Sequence, residues 1–253
     1  MTKHTRIEPP KTLDDIVLAD KHIRADLQDY VDGYETGTLI FFGLPGTGKS
    51  TLARVIANMT CGVDVAEYIN GSDKEAVKKI DCLSLMQRID SQGWLKSKDA
   101  FGKDICTIVP TLIIDEVDRL PDGKMDELKA LLDALERNKE NEAWQWNVFL
   151  TTNHLDKISP AMRSRSKEML IRGLTAQDAV PAVQRILQRE GIIQSDAAVL
   201  KQIQLGITAT RNDNTRIDWR RVIDDCQRVV RKAKRQQAAQ TTQQTQQHLT
   251  VVK

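Results

Sequence analysis

Short apolar runs bounded by turn residues alternate with stretches of helical period over the first two-thirds of the chain. These runs predict five β-strands: Thr38–Phe42, Asp64–Ile69, Thr111–Asp115, Asn147–Thr152 and Glu168–Ile171. The stretches between them predict three helices: Lys49–Met59, Lys74–Gln92 and Met125–Arg137. Because strands that alternate with helices form parallel sheets covered on both faces, we expect an α/β domain over residues 1–173.

The pattern changes after Gly173, where only helices are predicted. Their expected bounds are Thr175–Arg189, Ala197–Gly206 and Asp218–Lys234. Pro181 falls inside the first of them and either kinks it or shifts its start. We therefore expect a small helical domain over residues 174–236. The Gln/Thr-rich tail, residues 237–253, is expected to be disordered, although its first residues can extend the last helix.

Composition places the chain among ordinary water-soluble domains, with 40% apolar and 28% charged residues. It has no run of about 18 apolar residues, and Met1–Pro10 does not read as a signal peptide. The expectation is a cytoplasmic protein without membrane contact, or a nucleoid-associated one if it binds DNA. The formal net charge is only +2, but Arg216–Arg235 holds eight Lys or Arg against three Asp.

The four cysteines do not have the short spacing that a zinc site or a redox dithiol requires. They are Cys61, Cys82, Cys106 and Cys226. We expect reduced, buried thiols.

A phosphate-binding pattern joins the first predicted strand to the helix after it. The segment fits G-x-x-x-x-G-K-[ST] at every fixed position, and its residues are Gly43, Leu44, Pro45, Gly46, Thr47, Gly48, Lys49 and Ser50. Its glycines let backbone N–H groups converge on a phosphate at the helix N-terminus. Lys49 is predicted to reach the β- and γ-phosphates of ATP, Ser50 to bind Mg²⁺, and Thr51 to lie near the nucleotide.

A second pattern supplies acids to the same chemistry. The strand Thr111–Asp115 delivers Asp115 and then Glu116 to one edge of the predicted sheet. Asp115 is predicted to hold Mg²⁺ through water and Glu116 to polarise the attacking water. The structural alternative is an acidic helix cap.

With both motifs placed, the chain resembles AAA+ ATPases, and among them the clamp-loader small subunits of phages, archaea and eukaryotes (the replication factor C type). Four further segments carry the likeness between Pro9 and about Arg231: Asp115–Arg119 (D-E-x-D), Asn70–Asp73, Leu150–Asn153 and Ile158–Ser166. The last is similar to the family's S-R-C segment, with Ser166 in place of the cysteine. The resemblance implies a P-loop NTPase fold, with a five-stranded parallel sheet and a small C-terminal helical lid.

Three further site residues follow from the resemblance. Asn153 would touch the γ-phosphate region. Arg165 would be an arginine finger that reaches a neighbouring subunit's ATP, with Arg163 as its competitor. Asp218–Arg221 is similar to the family's D-x-R-R segment, so Arg220 would read the phosphate from the lid. For each arginine the alternative is an ordinary exposed side chain.

The resemblance also implies partners. The chain would assemble with itself or with related AAA+ subunits, load a sliding clamp on primed DNA, and use ATP and Mg²⁺ as cofactors. Lys74, Lys78 and Lys79 are the candidate DNA contacts, unless they form a solvated helix face.

One departure from the family keeps rival hypotheses open. Clamp-loader subunits carry a helical collar domain after the lid, and we expect none here. This favours a AAA+ remodeller or loader that acts on a protein partner, such as a helicase or a transposition component, with DNA contact secondary. A third hypothesis, a nucleotide-dependent scaffold without turnover, is opposed by Glu116, Asn153 and Arg165.

Overall fold

The computed structural model describes residues 7–61, 67–78, 96–98, 104–106, 109–137, 146–207 and 216–251. For residues 96–98, 104–106, 204–207 and 240–251 it describes the backbone alone. The chain divides into two compact units. One is the α/β unit Pro10–Arg172, and the other contains residues 7–9 and the described residues from Gly173 onward.

The α/β unit is built on a five-stranded, all-parallel sheet, which confirms the predicted fold class. In chain order the strands of this sheet are β1 (Gly37–Phe42), β2 (Glu67–Asn70), β5 (Thr111–Asp115), β6 (Asn147–Thr152) and β7 (Lys167–Leu170). They lie side by side in the order β2–β5–β6–β1–β7. The strands β5 and β6 are buried along their whole length, as expected for a sheet covered on both faces.

Helices cover this sheet and bury two apolar clusters. They are α1 (Lys21–Val31), α2 (Lys49–Cys61), α3 (Lys74–Lys78), α4 (Asp122–Arg137) and α5 (Pro160–Arg163). In one cluster, Leu128 and Leu132 of α4 pack with residues of β5 and β6. In the other, Ile56 of α2 packs with Phe41 and Phe149, whose rings meet edge to face 5.9 Å apart.

The strand register aligns the carboxyl ends on which a site can be built. Phe42 of β1 pairs with Thr152 of β6, and Asn70 of β2 pairs with Asp115 of β5. Since the strands are parallel, the residues that follow them emerge at one edge of the sheet.

Several elements differ from the sequence expectation. Helix α1, capped by Asp20, was not predicted, and neither was the antiparallel pair β3 (Lys96–Lys98) and β4 (Asp104–Cys106). Within the predicted helix Lys74–Gln92 the structure has α3 over Lys74–Lys78, and the remainder lies outside the described residues. The first residues of the predicted strand Asp64–Ile69 also lie outside them.

The second unit contains the helices α6 (Ala176–Arg189), α7 (Asp196–Ile207) and α8 (Trp219–Val251). A reciprocal capping box between Thr175 and Asp178 begins α6 at the expected place, and Pro181 lies inside the helix. Helix α8 corrects the sequence expectation, because it continues to Val251 where we expected a helix end near Lys234 and a disordered tail. Its Gln and Ala residues have good helix propensity, and the segment contains neither Gly nor Pro.

The cysteine expectation can be compared with the structure at two positions. Cys61 and Cys226 are buried free thiols. Burial raises the pKa of the Cys61 thiol and raises that of Cys226 to about 11. Cys82 lies outside the described residues, and only the backbone of Cys106 is described. None of the described helices combines the length and the apolar character needed to span a bilayer.

Candidate functional site

The glycine-rich loop Gly43–Gly48 connects the carboxyl end of β1 to the first turn of α2. Gly43, Gly46 and Gly48 all have positive φ, which L side chains rarely adopt. A Cβ on Gly43 would also lie 2.5 Å from the carbonyl oxygen of Ile171. The loop conformation therefore requires glycine at this point.

The side chain of Lys49 folds back onto the loop and bonds its backbone. Its side chain is 7% exposed, and its Nζ donates to the carbonyl oxygens of Gly43 (2.9 Å) and Leu44 (2.7 Å) and to Oδ1 of Asn153 (2.8 Å). The ammonium thus joins the loop to the residue that follows β6. It also places a positive charge at the loop where a phosphate would lie.

Asp115, which is 8% exposed, is the centre of a hydroxyl network at the end of β5. Its Oδ1 accepts from the Ser50 hydroxyl at 2.5 Å and from the Thr151 hydroxyl. Its Oδ2 accepts from the Tyr68 hydroxyl at 2.8 Å. One hydroxyl and one carboxylate, both oxygen donors of the kind Mg²⁺ prefers, are therefore in direct contact.

Glu116 has an unusual backbone. With φ 54° and ψ 48° it is the one non-glycine residue at positive φ in the described part of the chain. Its N–H donates to Oγ1 of Thr151 at 3.1 Å. Its Oε2 accepts from the Ser72 hydroxyl and pairs with Nε of Arg119 at 3.2 Å. The carboxylate is therefore engaged by two partners from its own chain.

Tyr68, Thr151 and Ser72 are site residues whose contacts the sequence reasoning did not foresee. Burial and the hydrogen bond to Asp115 raise the pKa of Tyr68, so its hydroxyl stays protonated and donates at neutral pH. The guanidinium of Arg54 lies 3.9 Å from the centre of its ring. Alternation along a strand places residues two apart on one face, but it does not tell which strands are neighbours, so it could not predict the contact between Tyr68 and Asp115.

The remaining loop residues lie at the mouth of the site. Leu44 and Pro45 are exposed, and the Thr47 hydroxyl donates to the carbonyl oxygen of Leu44 at 3.0 Å. Thr51 is exposed in the first turn of α2.

Neither candidate finger lies at this site. Nε of Arg165 pairs with the carboxylate of Asp133, and its Nη1 donates to the carbonyl oxygen of Ala161 at 2.6 Å. Arg163 forms a two-pronged pair with Glu168, at 2.7 and 3.2 Å. Each arginine therefore has a carboxylate partner in its own chain.

The position of Arg165 excludes a contact with a nucleotide bound at the glycine-rich loop of its own chain. It lines a cleft of about 590 Å³ together with Gly37 and Thr38, at the amino end of β1. The glycine-rich loop follows the carboxyl end of this strand, which at 3.3 Å per residue is about 17 Å away. Arg165 therefore lies at the opposite edge of the sheet from its own loop.

Arg220 belongs to the other compact unit. Its side chain is exposed, and its backbone N–H donates to Oδ1 of Asp218 at 2.9 Å. Its predicted role at the phosphates stays a prediction.

A second cleft, of about 630 Å³, adjoins Glu116. Its lining includes the Glu116 partners Ser72 and Arg119, and three lysines: Lys74, Lys78 and Lys124. Two of the lysines have acidic neighbours, Lys78 with Glu75 and Lys124 with Glu127, each at 2.8 Å. Lys79 lies outside the described residues.

Comparison with known proteins gives one family match. Residues 39–174, which include the glycine-rich loop, both acids and both candidate fingers, match the model of the ATPase family associated with various cellular activities (AAA).

The named relatives of the chain share less than a third of its sequence. The chain is 29% identical over 228 residues to the replication factor C large subunit of Archaeoglobus fulgidus, covering 87% of this chain and 43% of that one. It is 24% identical to the replication factor C small subunit of Aeropyrum pernix (75% and 54%) and 22% identical to the DNA polymerase III subunit gamma of Buchnera aphidicola (72% and 50%). The chain spans about half the length of the curated relatives it matches.

Among solved structures, the Holliday junction branch migration motor RuvB of Thermotoga maritima superposes with a TM-score of 0.52 at 18% identity. The match covers 86% of this chain and 71% of that one. This likeness concerns the fold.

The loop after β2 passes so close to the backbone at the end of β5 that a substitution in the loop should lower stability. A Cβ on Gly71 would lie 2.5 Å from the carbonyl oxygen of Glu116 and 3.2 Å from that of Asp115. We expect Gly71→Ala to lower the free energy of unfolding by about 1–3 kcal/mol, because one of the two backbones must move. Urea denaturation measures this change.

Gly123→Ala is the matched control, since nothing lies within 4 Å of a Cβ built there in α4. Ala in a helix should leave stability unchanged or raise it by up to about 1 kcal/mol. Equal effects of the two substitutions would contradict the close approach at Gly71.

Proposed function

The chain belongs to the AAA family of ATPases, and on this premise we propose that it binds ATP with Mg²⁺, hydrolyses it, and works as a clamp-loader-type subunit on primed DNA. The observation that carries the ATPase proposal is the joining of Lys49, Ser50 and Asp115 at one sheet edge. The relatives named replication factor C and DNA polymerase III subunit gamma support the clamp-loader type.

The residues at this edge fit the proposed ligands. Nζ of Lys49 already donates to three oxygen atoms, those of the Gly43 and Leu44 carbonyls and of the Asn153 side chain. A phosphate oxygen can take the place of some of these acceptors. Ser50 and Asp115 supply the oxygen donors that would hold Mg²⁺. Bound Mg²⁺ supplies the charge that neutralises phosphate oxygens during transfer.

Glu116 would act on the attacking water. A carboxylate accepts the proton of that water only when its oxygen is available to it. Oε2 of Glu116 is held by the Ser72 hydroxyl and by Arg119, so turnover requires that these contacts be exchanged. The contacts make Glu116 a natural point of control.

DNA can supply that control through the basic cleft. Arg119 and Ser72 line it together with Lys74, Lys78 and Lys124. A DNA phosphate bound there would compete with Glu116 for Arg119, because phosphate accepts forked hydrogen bonds from guanidinium. We therefore propose that DNA in the cleft releases Glu116 and stimulates hydrolysis.

The arginine finger would act in trans. Arg165 lies at the opposite sheet edge from its own loop, so it can reach a nucleotide only in a neighbouring subunit. Arg163 is the weaker candidate, because its two-pronged pair with Glu168 fixes the guanidinium more firmly. Assembly of like or related subunits follows from this role.

A second function remains in competition. A AAA+ remodeller or loader acting on a protein partner would use the same ATP site. The chain spans about half the length of the relatives it matches, so their names do not decide between a sliding clamp and another protein as its partner. In that case DNA contact would be secondary.

Steady-state ATPase assays test the clamp-loader type. We expect hydrolysis to rise when primed DNA and a sliding clamp are added together, and to rise less with either alone. If neither changes the rate of an otherwise active enzyme, the clamp-loader proposal is wrong and the protein-partner function takes its place.

Two substitutions separate ATP binding from turnover. Lys49→Ala should abolish binding of a fluorescent ATP analogue. Glu116→Gln should leave binding intact and lower turnover by about 10²–10⁴, because the amide cannot accept the proton. Normal hydrolysis by Glu116→Gln would refute its assignment as the base.

Mixing two inactive variants tests the finger. Arg165→Ala alone should bind ATP and lose about 10³–10⁵ in rate. Mixed with Glu116→Gln it should regain turnover, because the Glu116→Gln subunit supplies Arg165 to the intact site of its neighbour.

Arg163→Ala is the matched control for that mixture and should be active by itself. If co-assembled Arg165→Ala and Glu116→Gln subunits stay inactive, the role of Arg165 in trans is refuted. Recovery that instead depends on Arg163 would move the finger to that residue.

A further inference from the structure

Helix α8 carries an exposed stripe of positive charge that the ATPase function does not use. Arg228, Arg231, Lys232 and Arg235 are all exposed. Their spacing of i, i+3, i+4 and i+7 puts them on one face of the helix. At 1.5 Å per residue the stripe is about 10 Å long.

We propose that this basic stripe binds the phosphate backbone of nucleic acid without reading its sequence. The inference deepens the proposed function by adding a DNA contact in the helical unit, and it rests on that function in naming DNA as the ligand. It does not involve Arg220, Lys74, Lys78 or the ATP site.

Packing fixes the direction in which the stripe faces. Val222, Cys226 and Val230, which recur every four residues, are buried on the other side of α8. The helix cannot rotate its cations inward without exposing these three side chains. The stripe is therefore held toward solvent.

Acidic groups lie beside the stripe at its start and next to Lys234, which pairs with Glu190 at 2.7 Å. Asp225 pairs with Arg228 at 3.0 Å, and Asp224 is exposed one turn before it. After Asp225 the sequence contains no Asp or Glu through to its last residue, Lys253. Because the chain as a whole carries a formal net charge of only +2, this concentration of cations is a local feature.

The local chemistry disfavours a membrane surface as the partner of the stripe. A membrane-surface helix needs its apolar face available to lipid, whereas the apolar face of α8 is buried within its own unit. Three of the four cations are arginines, whose guanidinium groups bind phosphate and carboxylate alike, so the proposed function decides between a phosphate backbone and an acidic protein. Gln236 and Gln237, which follow the stripe, are exposed and carry uncharged donors of the kind that contact phosphate and sugar.

Fluorescence anisotropy tests the proposal. A labelled 30-base-pair DNA duplex is titrated with the whole chain, in the absence of ATP and of a clamp. The triple variant Arg228→Gln/Arg231→Gln/Arg235→Gln should bind at least about tenfold more weakly at 100 mM salt. The slope of log K against log salt should fall by up to about 2.7, since each lost phosphate contact removes about 0.9. The triple Arg→Lys variant should bind within about threefold of the unchanged chain, because it keeps the charges.

The matched control is Lys21→Gln/Arg185→Gln/Lys201→Gln, which removes three exposed cations from elsewhere. It should change neither affinity nor slope, and circular dichroism should show the same helix content in all variants. Equal losses in the two triple variants, or an unchanged slope in the stripe variant, would overturn the proposal.

Two competing ligands complete the test. Polyglutamate and phosphatidylserine vesicles should bind much more weakly than DNA, and equal binding of either would overturn the assignment to nucleic acid. Because binding is measured without nucleotide, a failure of clamp stimulation would reject the proposed function and leave this result standing.

Discussion

The contact between Ser50 and Asp115 depends on strand order, and the rest of the site depends on that contact. The loop follows β1 and the acid ends β5, with β6 lying between the two strands. Thr151 of β6 ties the end of β5 to the strand in between, because its hydroxyl donates to Asp115 and accepts from the N–H of Glu116. Hydrogen bonds to a charged group contribute about 1.5–3 kcal/mol each, so three hydroxyl donors offset much of the cost of burying this carboxylate.

Elements whose local pattern has one physical solution could be predicted from the sequence. The buried strand that ends in Asp115 has the bounds that the sequence predicted, and the glycines after β1 form a tight turn as expected, because backbone sterics and burial leave few alternatives. Tyr68 was missed because its contact with Asp115 depends on which strands are neighbours, and that order is not encoded locally. The extent of α8 was misjudged because Gln-rich composition is compatible with both disorder and helix.

Glu116 combines a strained backbone with an occupied side chain. A non-glycine residue in the left-handed region costs of order 1–3 kcal/mol, and it persists only where neighbours hold it. Here the hold comes from the bond between its N–H and Thr151, and from Ser72 and Arg119 on its carboxylate. The close approach of Gly71 to the Glu116 carbonyl leaves the backbone little freedom, so a change at this residue must come mainly from the side chain.

The two edges of the sheet divide the proposed chemistry between subunits. One edge holds Lys49, Ser50 and Asp115, and the other holds Arg165 in a cleft at the start of β1. Rigid parallel strands separate them by about 17 Å, which no side chain can span. If Arg165 serves a nucleotide, catalysis therefore requires assembly. The pair that Arg165 forms with Asp133 then has a purpose in the free subunit, because it gives a partly buried guanidinium a partner until a neighbour's phosphate replaces it.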